Sequence, residues 1–169
     1  MTAPGERVRI VGVMGGAMVN AETLEKAREL GGRIAREGWV LLNGGRNAGV
    51  MAASARGARE AGGLVVGILP DDHWGRVSPD VTLPILTGMG DARNIINVLS
   101  SHVVVACRGG AGTISEIALA LKSGRLAILM DFDTDGIFDR YEREGRLLRA
   151  ETPRDVIALI KAKAASGAL

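Results

Sequence analysis

The stretch "HVVVACRGGAGTISEIALAL", residues 102–121, passes from a valine run through a glycine turn into a helical pattern. His102–Ala106 is short and almost wholly apolar, which suits a strand buried on both faces. Gly109, Gly110 and Gly112 follow within four positions, and a helix is expected from about Thr113. Strand, tight turn and helix in that order make half of a parallel β-α-β unit. The same order recurs along the chain. Val8–Val13, Val40–Asn43, Leu64–Leu69, Leu83–Leu86 and Leu126–Met130 also read as strands. A helix over Ala21–Glu37 carries Leu24, Ala27, Gly31, Ile34 and Ala35 on one stripe, with Asn20 placed to cap it. A second, Val50–Ala61, turns mostly small residues inward (Met51, Ala55, Ala58) and can lie close to its neighbours. The last helix starts at Thr152, with Pro153 in its first turn and Asp155 three residues after the cap. Repeated units of this kind predict an α/β fold, a Rossmann-like parallel sheet with right-handed crossovers and helices on both faces.

A chain of 169 residues is expected to form a single domain over 1–169, with residues 1–6 and 164–169 frayed. Glycine, at 24 residues, is about double its usual share, which points to tight strand-to-helix turns. The net charge of +2 and the absence of a Lys/Arg stripe argue against nucleic acid as a partner. The lone Cys107 excludes an internal disulfide and suits a reducing compartment. The N-terminal residues lack a signal-peptide pattern, and no apolar stretch approaches the roughly 18 residues of a membrane span. A cytoplasmic location, away from membranes, is expected.

Three glycine turns fall at carboxyl ends of expected strands, where open α/β sheets bind ligands. They are Gly15-Gly16, then Gly44-Gly45 with Gly49, then Gly109, Gly110 and Gly112 followed by Thr113. Bare backbone can approach a ligand closely, and free amides at a helix N-terminus hold an anion. Close packing at strand–helix corners is the competing explanation. Three such turns on one sheet edge favour a phosphate site. The first turn, "GVMGGAMVN", is no clean GxGxxG, and no GK[ST] follows any turn, which disfavours an NAD enzyme or a nucleoside triphosphatase.

Glu116 is a single carboxylate in a helix that is apolar nearly all round, among Ile114, Ile117, Leu119 and Leu121. Such a group must be paired, hydrogen-bonded or protonated. The preceding helical segment offers partners, because Arg93, Asn94, Asn97 and Ser101 fall on one face and Ile95, Ile96, Val98 and Leu99 on the other. One arginine among amides reads as the lining of a site. An internal Arg93–Glu116 salt bridge organising a dimer is the alternative.

"GGAGTISE" resembles the PGGxGTxxE signature of the Lonely-guy-type phosphoribohydrolases. "NGGRNAGVMAASARGAREAGGLVVGILP" is similar to their second loop and the strand after it, and "GMGDARNIINVLSSH" to their Met…Arg segment. The resemblance covers Val8 to about Met130 and is closest to the molybdenum-cofactor-carrier-like branch. It implies a homo-oligomer, dimer or tetramer, that binds a small phosphorylated, ring-bearing ligand at Gly15, Gly16, Gly44, Gly45, Gly49, Gly109, Gly110, Gly112 and Thr113. Arg93, Asn97 and Glu116 complete that set. In the hydrolases the matching Arg and Glu are the catalytic pair, here Arg93 and Glu116. Arg108 replaces the motif's proline and Asn94 the lysine that usually follows the arginine, which alters the charge beside the ligand.

"DFDTDGIFDRYE", residues 131–142, fits the calcium-loop spacing, with Asp131, Asp133, Asp135 and Glu142 in ligand positions. An EF-hand needs an entering helix, and a strand stands there instead, so no metal site is expected. Cys107 reads as a buried thiol, and His73 and His102 are isolated. Two functions stand at this point. One is binding of a phosphorylated nucleotide-like ligand or pterin cofactor, with molybdenum cofactor as the bound molecule and no further cofactor required. The other is hydrolysis of the N-glycosidic bond of a nucleoside 5′-monophosphate, with catalysis by Arg93 and Glu116.

Overall fold

The computed structural model describes residues 8–169, so the expected fraying at 1–6 lies outside the described residues. The strands are β1 Ile10–Met14, β2 Val40–Asn43, β3 Val65–Leu69, β4 Leu83–Leu86, β5 Val103–Ala106, β6 Leu126–Met130 and β7 Leu147–Ala150. The helices are α1 Ala21–Arg36, α2 Gly49–Glu60, α3 Asn94–Leu99, α4 Ala111–Lys122, α5 Asp139–Arg143 and α6 Pro153–Ala165. The strands form one seven-stranded sheet in the order β4-β3-β2-β1-β5-β6-β7, and every pairing is parallel. The chain winds outward from β1 to β4, crosses back to β5 and continues to β7. The winding direction therefore reverses between β1 and β5, and a crevice opens at the carboxyl ends of the strands there.

Alternation along the strands divides the core. Val11, Val13, Val105 and Ile128 face α1, α2 and α6, meeting Leu30, Ile34, Ala58 and Ile160. Met14, Val104 and Leu129 face the other side, where Val98 of α3, Ile117, Ala120 and Leu121 of α4 and Phe138 cover them. Small residues bring α1 and α2 together, since a side chain on Gly31 would run into the Ser54 carbonyl and one on Gly57 into that of Arg28. The Asn20 Oδ1 accepts from the Thr23 amide at 2.9 Å and starts α1. A reciprocal Thr152–Asp155 capping box starts α6.

Two expectations need correction. Strand β7 and helix α5 were not anticipated, because "LLRA" is short and exposes Arg149. Helix α4 begins at Ala111, two residues before Thr113. At the C-terminal end α6 runs through Ala165, Gly167 N–H donates to Ala164 O and Ala168 N–H to Lys163 O, and Leu169 packs on the core.

Candidate functional site

The loops after β1, β2 and β5 surround a cavity of about 230 Å³ in that crevice. Of the anticipated residues, Gly15, Gly16, Gly44, Arg93, Gly110, Gly112, Thr113 and Glu116 line it. Gly45, Gly49, Asn97 and Gly109 do not. Asn94, read from the sequence as part of the lining face with Arg93, lines it too, and so do Met14, Ala17, Met51 and Asp91, none of which sequence reasoning assigned to ligand binding. Met51 was legible only as an inward residue of α2. Asp91 could have been found as the acid two residues before Arg93.

The glycines serve different ends. A side chain on Gly15 would meet Val50, one on Gly16 would press on Gly109, and one on Gly109 would strike the Thr113 hydroxyl. Gly45 (φ +73°) packs on Leu69, and Gly49 (φ +50°) lies against the Gly16 carbonyl. These positions are bare because the chain itself fills the space. Gly44 leaves room for the Arg93 guanidinium, whose terminal nitrogens lie 2.8 Å from where a Cβ would stand. Gly110 and Gly112 differ. Neither has positive φ, and none of the described residues lies within 4 Å of either would-be Cβ.

The amides divide in the same way. Around the β2 turn, Gly45 N–H donates to Asn43 Oδ1 at 2.8 Å, Asn47 N–H to Arg76 O at 2.9 Å and Val50 N–H to Gly16 O at 3.0 Å. That turn was anticipated as a second anion loop, but these donors are committed to the fold. At α4 the first-turn amides of Ala111, Gly112 and Thr113 find no acceptor among the described residues, and Gly112 and Thr113 line the cavity.

Behind them Arg93, Asn97 and Glu116 form a buried group, each at most 9% exposed. Asn97 Nδ2 donates to Glu116 Oε1 at 3.2 Å, and Arg93 approaches the same oxygen at 3.9 Å. The ion pair is thus long and rests on one contact. Arg93 Nε and Asn97 Oδ1 are buried without a partner among the described residues. Burial raises the Glu116 pKa above its ordinary value, opposed by the Asn97 hydrogen bond and by Arg93. Burial likewise lowers that of Arg93, opposed chiefly by Glu116. The Arg46–Asp71 pair, bidentate at 2.7 and 2.8 Å, ties the β2 loop to the end of β3.

The remaining candidates lie apart from this group. Burial pushes the Cys107 thiol up to about 12, which makes it a poor nucleophile. In the stretch 131–142, Asp131 pairs with Lys26 at 2.7 Å, Asp133 accepts the Asp135 amide, and Glu142 pairs with Arg149. Among the described residues no group of three or more His, Cys, Asp or Glu is placed to hold a metal ion.

The model of the SLOG cluster4 family matches residues 8–157. The chain belongs to the SLOG cluster4 family. This SLOG chain is similar to two molybdenum-cofactor proteins and, over part of its length, to a hydrolase. It is 47% identical to the molybdenum cofactor binding protein of the phototrophic bacterium Rippkaea orientalis, with TM-score 0.87 over 92% of this chain and 97% of that one. It is 41% identical to the molybdenum cofactor carrier protein of Chlamydomonas reinhardtii, with TM-score 0.86 over 94% and 99%. A cytokinin riboside 5′-monophosphate phosphoribohydrolase of Mycobacterium tuberculosis is 35% identical over 115 residues, 63% of this chain and 58% of that protein. Among the described residues, no helix of this SLOG chain is long and apolar enough to cross a membrane.

Proposed function

We infer that this protein binds and carries a phosphorylated pterin-type cofactor, the molybdenum cofactor, in the cavity between β1 and β5. The observation that carries this reading is the unfilled space at Gly110 and Gly112, beside free α4 amides and the unpartnered Arg93 Nε. In the first turn of a helix, alanine would be more stable than Gly112 by a few tenths to about 1 kcal/mol, and none of the described residues requires the glycine. A phosphate seated there would take the Ala111, Gly112 and Thr113 amides, with Arg93 as its counter-charge. Glu116 and Asp91 offer carboxylate acceptors to the N–H edge of a pterin. The likeness to the two molybdenum-cofactor proteins supports this ligand. Mass spectrometry of small molecules released from purified protein tests it. A phosphorylated pterin from wild type, absent from Gly110→Val, is the expected result. A wild type that releases no pterin, or a mutant that retains it, would overturn the reading.

The second reading, hydrolysis of a nucleoside 5′-monophosphate, rests on Arg93 and Glu116 meeting in the same cavity, where burial raises the Glu116 pKa above its ordinary value. Free base released by wild type and lost in Glu116→Gln would favour it.

Leu83, Ile85 and Leu99 are 51%, 43% and 50% exposed on the α3 side of the sheet. A second copy of the chain would cover this face and make a homo-oligomer, and Leu99→Glu should then lower the mass measured by light scattering. A small cytoplasmic binding protein with no nucleic-acid or membrane partner fits these features.

A further inference from the structure

Two hollows lie on the far side of the β5 turn from the cavity just described. They measure about 390 and 580 Å³ and share Arg108, Phe132 and Asp133. The first also touches Gly109, whereas Gly110 lines the phosphate cavity, so adjacent residues mark the ridge between the two regions. Adjacent Cα atoms are only about 3.8 Å apart, so a diphosphate can straddle the ridge. Arg108 stands at it with a cation to offer. Its Nε makes one long bond, 3.3 Å to the Asp131 carbonyl, and no carboxylate of the described residues lies within 4 Å of it. The neighbouring cations are engaged, Lys26 with Asp131 and Glu22, Arg149 with Glu142. Phe132 supplies an aromatic surface, partly exposed, and Met18, 96% exposed, flanks it. The hollows are of the size that holds a nucleoside.

We propose that the protein accepts a nucleotide-extended form of its ligand. The phosphorylated ring occupies the first cavity, a diphosphate crosses the ridge against Arg108, and a nucleoside lies against Phe132. This rests on the phosphate reading of the α4 N-terminus. The topology favours it, because the cavity and the hollows lie on opposite sides of the β5 turn, beside the point where the winding reverses and where two-part ligands lie across open α/β sheets. An arginine in place of a proline at 108 adds the charge that a second phosphate needs, and proline could give neither that charge nor a hydrogen bond.

Calorimetric titration with inorganic phosphate, pyrophosphate and GDP tests the proposal. Wild type should bind GDP about tenfold or more tightly than pyrophosphate, as base stacking supplies. Arg108→Ala should weaken GDP and pyrophosphate about tenfold and leave inorganic phosphate unchanged. Phe132→Ala should weaken GDP alone. GDP no tighter than pyrophosphate, or GDP affinity indifferent to both substitutions, would overturn the proposal while leaving the phosphate site standing. Wild type that binds none of the three would overturn both the phosphate reading and the extension.

Discussion

The turns after β2 and β5 carry nearly the same residues and use them differently. In the β2 turn the space beside each glycine is taken by Met51, Arg93, Leu69 or the Gly16–Ala17 backbone, and the Gly45, Asn47 and Val50 amides are bonded to the chain itself, at Asn43, Arg76 and Gly16. In the β5 turn only Gly109 is filled, while Gly110 and Gly112 face open space beside unpaired amides. Glycine spacing therefore shows where backbone is bare. Whether the chain or another molecule occupies that space depends on which loops meet across the sheet edge.

Substitutions should separate the two turns. The largest effect on stability is expected at Gly49→Ala. It combines positive φ, worth roughly 1–2 kcal/mol, with overpacking against a backbone carbonyl that cannot swing aside, roughly 1–3 kcal/mol. A melting temperature lowered by about 6 °C or more is predicted, and an unchanged one would break the distinction. Gly112→Ala should do the reverse, raising stability by up to about 1 kcal/mol while weakening phosphate binding. Stability and affinity rising together would remove the reason to assign that space to a ligand.

Gly44→Ala lies between the extremes. Its Cβ would stand 2.6 Å from Met51 Sδ and 2.8 Å from the Arg93 nitrogens, flexible ends that can move. The expected cost is about 1 kcal/mol, with a several-fold loss of phosphate affinity as the guanidinium shifts. Calorimetry beside a thermal melt reads both.

Glu116→Gln should be the mildest for the fold, because glutamine keeps an acceptor for Asn97 and the Arg93 contact is long. Its signature is in pH. With its folded pKa above the ordinary 4.5, Glu116 binds more protons folded than unfolded between those two values. Its contribution to stability is full below 4.5 and is lost as pH rises through the folded pKa. Denaturation across that window should show a downward slope in wild type that is absent from Glu116→Gln. Parallel profiles would mean that Glu116 is an ordinary carboxylate.

Strands β1, β2, β3, β5 and β6 were legible because nearly continuous Val, Ile and Leu is the mark of burial on both faces, whereas β4 was legible from its short apolar run although its Leu83 and Ile85 are exposed. β7 was not, since four residues with an outward Arg149 carry little pattern. The start of α4 was placed late because Ala111 and Gly112 give no helix signal, although the tertiary fold extends the helix through them. The meeting of Arg93 with Glu116 could be read from two helical faces. Arg93 lying over Gly44 could not, because loops joined to different strands bring them together. The roles of Gly45, Gly49 and Gly109 escaped for the same reason.

Amide NMR of isotope-labelled protein titrated with inorganic phosphate tests the contrast between the turns most directly. The resonances of Ala111, Gly112 and Thr113 should move along one saturating curve, while those of Gly45, Asn47 and Val50 stay still. Movement in the β2 turn with a silent α4 N-terminus would contradict the assignment of the open glycines to a ligand.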